Sequence, residues 1–152
     1  MQTYSESELV PLVTKLAESL RGTGGGWVFL EGDLGAGKST FARLLLKALG
    51  VSEGIQHGSP TFSLSHEYRC GNQRVVHLDL YRIRSEEEID EAGLEELFSV
   101  SSSSVVLVEW LSKFPDFEES LLKLRQSKRI VRVKLDFIDC DPLRRKVEIK
   151  PL

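Results

Sequence analysis

Gly32-Asp33-Leu34-Gly35-Ala36-Gly37-Lys38-Ser39 fits G-x-x-x-x-G-K-[ST] at every fixed position, and Thr40 follows it. Each part answers a demand of polyphosphate binding. Glycines let the backbone turn sharply and aim several N–H groups at one anion. The helix that begins near Lys38 adds the positive end of its dipole. Lys38 reaches β- and γ-phosphates as a point charge, and a hydroxyl at Ser39 is placed to ligate Mg²⁺. The motif fits either ATP or GTP.

A phosphate loop works with an acid at the end of a neighbouring apolar strand, where it orders the metal's water shell. Two runs end that way: VVHLD at Asp79 and VVLVE at Glu109. Spacing alone leaves both open as the metal-side acid. His57, Ser59 and Thr61 sit in the polar loop after the first core helix, where a nucleotide switch can feel the γ-phosphate. His77 alternates with its strand neighbours and reads as a hydrogen-bonded core histidine. Asp90-Glu91-Ala92-Gly93 fits the D-x-x-G of GTPases but falls inside an acidic helix. A guanine reader of the form N-K-x-D is missing: the chain's one asparagine, Asn72, is followed by Gln73. The guanine-switch reading fails on that point.

These residues need elements to hold them. Leu9, Leu12, Val13, Leu16, Ala17 and Leu20 recur at helical spacing, with Gly22 as a stop and Pro11 blurring the start. WVFLE is a strand leading into the phosphate loop, and FARLLLKALG a helix ending at Gly50. FSLSHEY and RVVHLDLYR read as a hairpin joined by CGNQ. Ser85 with Glu88 forms a capping-box pattern before SEEEIDEAG. SVVLVEW is a fully apolar, central strand, and IVRVKLDFI and KVEIK close the sheet. Strands alternating with helices, plus a hairpin, predict an α/β fold of the P-loop NTPase kind: a mixed sheet with antiparallel additions, flanked by helices, as a single domain over residues 1–152.

Composition sets the class. Of 152 residues 41% are hydrophobic and 28% charged, an ordinary globular balance. No apolar run approaches the roughly 18 residues that span a membrane, and MQTYSESELV lacks a secretory signal. Cys70 and Cys140 are too few for a disulfide scaffold, so a cytoplasmic protein is expected. The net charge of −3 hides an asymmetry: residues 1–120 hold 10 Lys/Arg against 19 Asp/Glu, and residues 121–152 hold 10 against 4. The basic stretch LRQSKRIVRVK reads as an amphipathic strand with a solvated basic face, because no aromatics interleave with the charges as a nucleic-acid stacking surface requires.

The order GDLGAGKST, SPTFSL, HLDLYRI, EEIDEAGLEELF, VVLVEW resembles the TsaE (YjeE-type) family, small bacterial P-loop ATPases of tRNA threonylcarbamoyladenosine synthesis. The likeness runs from about Trp27 to Trp110. It implies ATP and Mg²⁺ as cofactors, with nucleotide contacts from Asp33, Leu34, Gly35, Ala36, Gly37, Lys38, Ser39 and Thr40. It assigns the metal to Ser39, where relatives usually carry threonine, and to Glu109. Lys38, Asp79 and Thr61 take the catalytic roles, Asp79 in positioning water or switching and Thr61 within the switch-like Ser59–Phe62 segment. Adenine is expected between the N-terminal end and the C-terminal strands, at Tyr4 and Arg144 or Arg145. The resemblance further implies action on a complex of TsaB and TsaD, slow hydrolysis without those partners, contact with tRNA only through the complex, and no role for DNA or membrane. The alternative from the loop alone is a small-molecule or nucleotide kinase. Such enzymes add an Arg-rich lid, whereas Arg69, Arg74, Arg82 and Arg84 are scattered here.

Overall fold

The computed structural model describes residues 2–52, 64–99, 104–124, 129–139 and 141–152. His57, Ser59, Thr61 and the rest of the expected switch segment through Phe62 lie outside the described residues, as does Cys140. The elements run β1 (Gln2–Ser5), α1 (Glu6–Gly22), β2 (Gly26–Glu31), α2 (Lys38–Ala48), β3 (Ser65–Cys70), β4 (Gln73–Asp79), α3 (Glu86–Glu91), α4 (Glu96–Ser99), β5 (Ser104–Glu109), α5 (Pro115–Leu124), β6 (Ile130–Phe137) and β7 (Arg144–Pro151), with a 3₁₀ turn at Leu111–Lys113.

The described strands form one sheet in the order β1-β7-β6-β2-β5-β4-β3. Its middle, β6-β2-β5-β4, is parallel. Antiparallel strands extend it at both edges: β3 on β4, and β7 then β1 on β6. This is the mixed α/β architecture the strand and helix pattern predicts. The hairpin of β3 and β4 turns through Gly71-Asn72, with Cys70 opposite Gln73.

The parallel strands are apolar at successive positions because helices cover both faces. On one face α1 and α2 pack Leu16, Leu20, Phe41 and Leu45 over Val28, Leu30, Val105 and Leu107. On the other, α3 to α5 and the 3₁₀ turn pack Ile89, Phe98, Leu111 and Phe117 over Trp27, Phe29, Val106 and Val108. Trp27 meets Phe98 edge-on at 5.2 Å between ring centroids. Each such fully buried side chain contributes about 1.5–3 kcal/mol through the water it leaves. β5 is buried along all six residues and lies between β2 and β4, next to the middle strand.

Local detail departs from the sequence expectation in places. Pro11 lies inside α1; a proline there removes one backbone donor, and the five buried apolar residues on the helix's inner face outweigh that loss. The capping box forms at Ser5 and Glu8, where the Ser5 hydroxyl accepts from the Glu8 N–H and the Glu8 carboxylate accepts from the Ser5 N–H at 2.8 Å. At Ser85 the side chain makes no capping bond, and Glu88 instead accepts from the Arg84 N–H at 3.3 Å. On β6 Val131, Val133 and Leu135 are buried and Lys134 is exposed, as an amphipathic strand requires, while Arg132 is half-buried between Glu31 and Glu118.

Ser5→Ala is therefore expected to lower the unfolding free energy by about 1 kcal/mol, and Ser85→Ala by at most a few tenths. Urea unfolding of the two variants checks this; equal losses would contradict the capping geometry.

Candidate nucleotide-binding site

The loop between β2 and α2 is shaped by contacts that exclude side chains. A Cβ on Gly32 would lie 2.2 Å from the Leu135 carbonyl oxygen of β6, so only glycine lets the chain leave β2 this close to its neighbour. Gly37, at φ 103°, is the N-cap of α2 in a left-handed conformation that side chains rarely adopt. Between them the Ala36 N–H bonds the Asp33 carbonyl at 3.1 Å. Gly35 and Gly37 of the loop and Lys38, Ser39 and Thr40 at the start of α2 line one cleft.

Lys38, the first residue of α2, is 5% exposed. Its Nζ donates to the carbonyls of Gly32 at 2.6 Å and Asp33 at 2.9 Å. An ammonium has three donors, so one remains for a phosphate oxygen. The face of the Trp110 ring covers the ammonium at 3.9 Å from its centroid. Burial pulls the Lys38 amine below its ordinary value, and the charges of Glu109, Asp79 and Asp33 act in the opposite direction.

Register brings the two strand-end acids together. β4 and β5 run parallel with Asp79 opposite Glu109, so both carboxylates emerge at the same end of the sheet. Both are buried. Asp79 Oδ1 accepts from the Tyr81 N–H at 2.9 Å, and the Asp79 N–H donates to the Leu64 carbonyl. Glu109 Oε1 accepts from His77 Nε2 at 2.9 Å. Leu34, Gly35, Gly37, Lys38, Ser39, Thr40, Asp79, Tyr81, Glu109 and Trp110 line one cleft of about 300 Å³. Ala36, fully buried, and Asp33, which is exposed, do not line this cleft; the Asp33 carbonyl braces the loop by accepting from the Ala36 N–H and from Lys38.

A second hollow of about 200 Å³ adjoins the first, sharing Gly37 and Thr40, and is lined also by Tyr4, Leu9, Leu135, Pro142, Leu143 and Arg145. Tyr4 and Arg145 face each other across β1 and β7, and the Arg145 guanidinium stacks 4.9 Å from the Phe137 ring. Arg144 turns away from it, to Glu8 at 2.9 Å and the Thr3 carbonyl. Of the two arginines the sequence offers for the adenine, Arg145 stands in the hollow beside the phosphate loop.

Sequence reasoning passed over Lys113 and the wall formed by Tyr81. Lys113 Nζ gathers the carbonyls of Leu80, Tyr81 and Ile83 at 3.3, 2.7 and 2.8 Å. That pins the turn after Asp79, and the Tyr81 ring rests against Trp110 at 5.1 Å. Trp110 itself has φ 66°, a left-handed conformation that costs a bulky residue about 1–3 kcal/mol. It reverses the chain directly after Glu109 and brings the indole over Lys38. No motif marks Lys113; its role exists only once α5's approach is folded beside the β4 turn.

A phosphate loop between a buried strand and a helix, with acids at the ends of two adjacent parallel strands, defines a P-loop nucleotide-binding protein. Residues 3–136 match the family model described as threonylcarbamoyl adenosine biosynthesis protein TsaE. Proteins named tRNA threonylcarbamoyladenosine biosynthesis protein TsaE resemble the chain closely: that of Rickettsia felis is 35% identical over 91% of this chain and 86% of its own length, and that of Rickettsia conorii 38% over 85% and 74%. The crystal structure of Bacillus subtilis YdiB superposes with a TM-score of 0.61 at 26% identity, covering 96% of this chain and 80% of that one. The chain belongs to the TsaE family, and its place is in tRNA threonylcarbamoyladenosine biosynthesis. Nucleotide binding follows from that family and fold.

Lys113→Met, which keeps the stem and removes the three donors, is expected to cost about 1 kcal/mol in urea unfolding. It should also raise the amide hydrogen exchange of residues 80–83. Unchanged exchange there would show that the ammonium does not hold the turn.

Proposed function

We propose that this chain is an ATP-binding and ATP-hydrolysing subunit that supports threonylcarbamoyl modification of the tRNA adenosine next to the anticodon. It acts on a transferase complex of TsaB and TsaD and reaches tRNA only through them. The cytoplasm is where it works, without membrane or DNA. The observation that carries this reading is the convergence of the phosphate loop, Asp79 and Glu109 on a single cleft.

In that cleft the loop amides and Lys38 bind the β- and γ-phosphates. Ser39 and Glu109 are the donors for Mg²⁺. Both offer hard oxygens, and among the described residues no group of three or more His, Cys, Asp or Glu is arranged to hold a metal unaided. Mg²⁺ characteristically takes one or two protein ligands and completes its shell with phosphates and water, so the donor set fits. The ion would neutralise charge developing on the phosphates. Asp79, fixed by the Tyr81 amide, orients the attacking water, and Thr61 belongs to the segment that senses the γ-phosphate. The adenine enters the hollow of Tyr4, Leu143 and Arg145, where the guanidinium and an apolar wall accept an aromatic face. Hydrolysis is slow until the partners bind.

Lys38→Ala is expected to weaken ATP binding about a hundredfold, from the loss of a charged hydrogen bond worth up to about 3 kcal/mol. Asp79→Ala should keep ATP affinity within about threefold while phosphate release falls at least about a hundredfold. A fluorescent ATP analogue and a phosphate-release assay measure the two. Phosphate transferred to an added acceptor, in place of free phosphate, would establish the kinase alternative.

Arg145→Ala should raise the Kd for ATP about tenfold, and Arg144→Ala should leave it within about twofold, since Arg144 serves a half-exposed ion pair with Glu8. The same analogue titration decides between the arginines.

A further inference from the structure

His77 sits inside β4, with its Cα opposite Leu107 of β5 and His66 of β3. Strand alternation puts its side chain on the same face as Asp79, diagonal to Glu109. The imidazole is fully buried, Glu109 is 2% exposed, and the two meet at 2.9 Å. A carboxylate accepts, so Nε2 carries the hydrogen. Nδ1 is buried and has no hydrogen-bond partner among the described residues.

As a packing device this is a poor choice. Apolar residues at both 77 and 109 would remove the desolvation cost of the pair and the orphaned Nδ1, and buried polar pairs are often no better for stability than such apolar replacements. What the pair supplies is orientation. Among the described residues the one hydrogen bond to the Glu109 carboxylate comes from His77, through Oε1 alone. Groups that ligate metals are commonly held by a further hydrogen bond of this kind, and its loss costs tenfold to a hundredfold in metal affinity.

We propose that His77 is a positioning residue for Glu109: its Nε2–H fixes Oε1, so that the other carboxylate oxygen is presented to the metal at the phosphate loop. The inference rests on the metal role of Glu109 put forward above. Glutamine carries its amide nitrogen at about the reach of histidine Nε2, whereas asparagine is too short to bond Glu109. Leucine has the bulk without the donor. The three substitutions separate orientation from packing.

The test measures Mn²⁺ binding to the protein–ADP complex by the EPR signal of free Mn²⁺, with ADP affinity in EDTA as the control for an intact fold. His77→Leu and His77→Asn are expected to weaken Mn²⁺ binding about tenfold or more while ADP binding without metal stays within about twofold. His77→Gln should remain within about threefold of wild type. If His77→Leu does not fold, His77→Asn against His77→Gln makes the same comparison. Wild-type Mn²⁺ affinity in the folded Leu or Asn protein, or a His77→Gln protein as weak as these, overturns the inference. Glu109→Gln is run beside them. If it too binds Mn²⁺ normally, the metal role of Glu109 fails and the inference with it; if it is weakened while His77→Leu and His77→Asn are not, only the inference fails.

Discussion

A buried ammonium organises this protein. Lys38 sits at the start of α2 with almost no exposure, and an isolated charge taken that far from water would neutralise itself. Here it is retained by two carbonyls of its own loop, an indole face and the nearby carboxylates. The dependence is mutual. Asp79 and Glu109 are themselves buried, and the lysine charge helps offset what it costs to keep them so. A phosphate chain entering the cleft meets donors whose positions are already fixed, so little ordering has to accompany binding.

The sheet makes that arrangement possible. Four parallel strands end at the same edge, and the register of β4 on β5 sets Asp79 level with Glu109. The antiparallel additions have a different use. β7 and β1 carry Arg145 and Tyr4 to the side of the phosphate loop, and β3 closes the opposite flank. Two further constraints keep the cleft's wall in place: the left-handed backbone at Trp110 and the three carbonyls drawn onto Lys113. Neither residue needs to touch a nucleotide phosphate to matter, because both act on the shape of the wall.

Much of this was legible from residue pattern. The phosphate loop, the strand before it and the helix after it follow from glycine spacing and apolar periodicity. The fully apolar runs announced strands covered on both faces. Other features were hidden for physical reasons. β1 is four residues of mixed polarity, whose partner, β7, lies at the far end of the chain. The capping box was expected at Ser85, where the pattern is right, and formed at Ser5, because a cap depends on the backbone angles at the helix entry as well as on side-chain chemistry. Tyr4 was legible as a base-site candidate only through family resemblance, and which of the two adjacent arginines stands beside the phosphate loop was set by strand alternation, which sends Arg145 to the hollow and Arg144 to Glu8.

The sequence by itself determined the local chemistry: a glycine-rich phosphate grip, a lysine and hydroxyl at its end, acids closing two apolar strands, and no guanine reader. These are short-range properties, carried by neighbours along the chain. The tertiary structure alone decided which distant groups meet. It set His77 against Glu109, Trp110 over Lys38 and Lys113 under the turn that follows Asp79. Those contacts arise from sheet order and register, which bring together residues tens of positions apart and which no local spacing encodes.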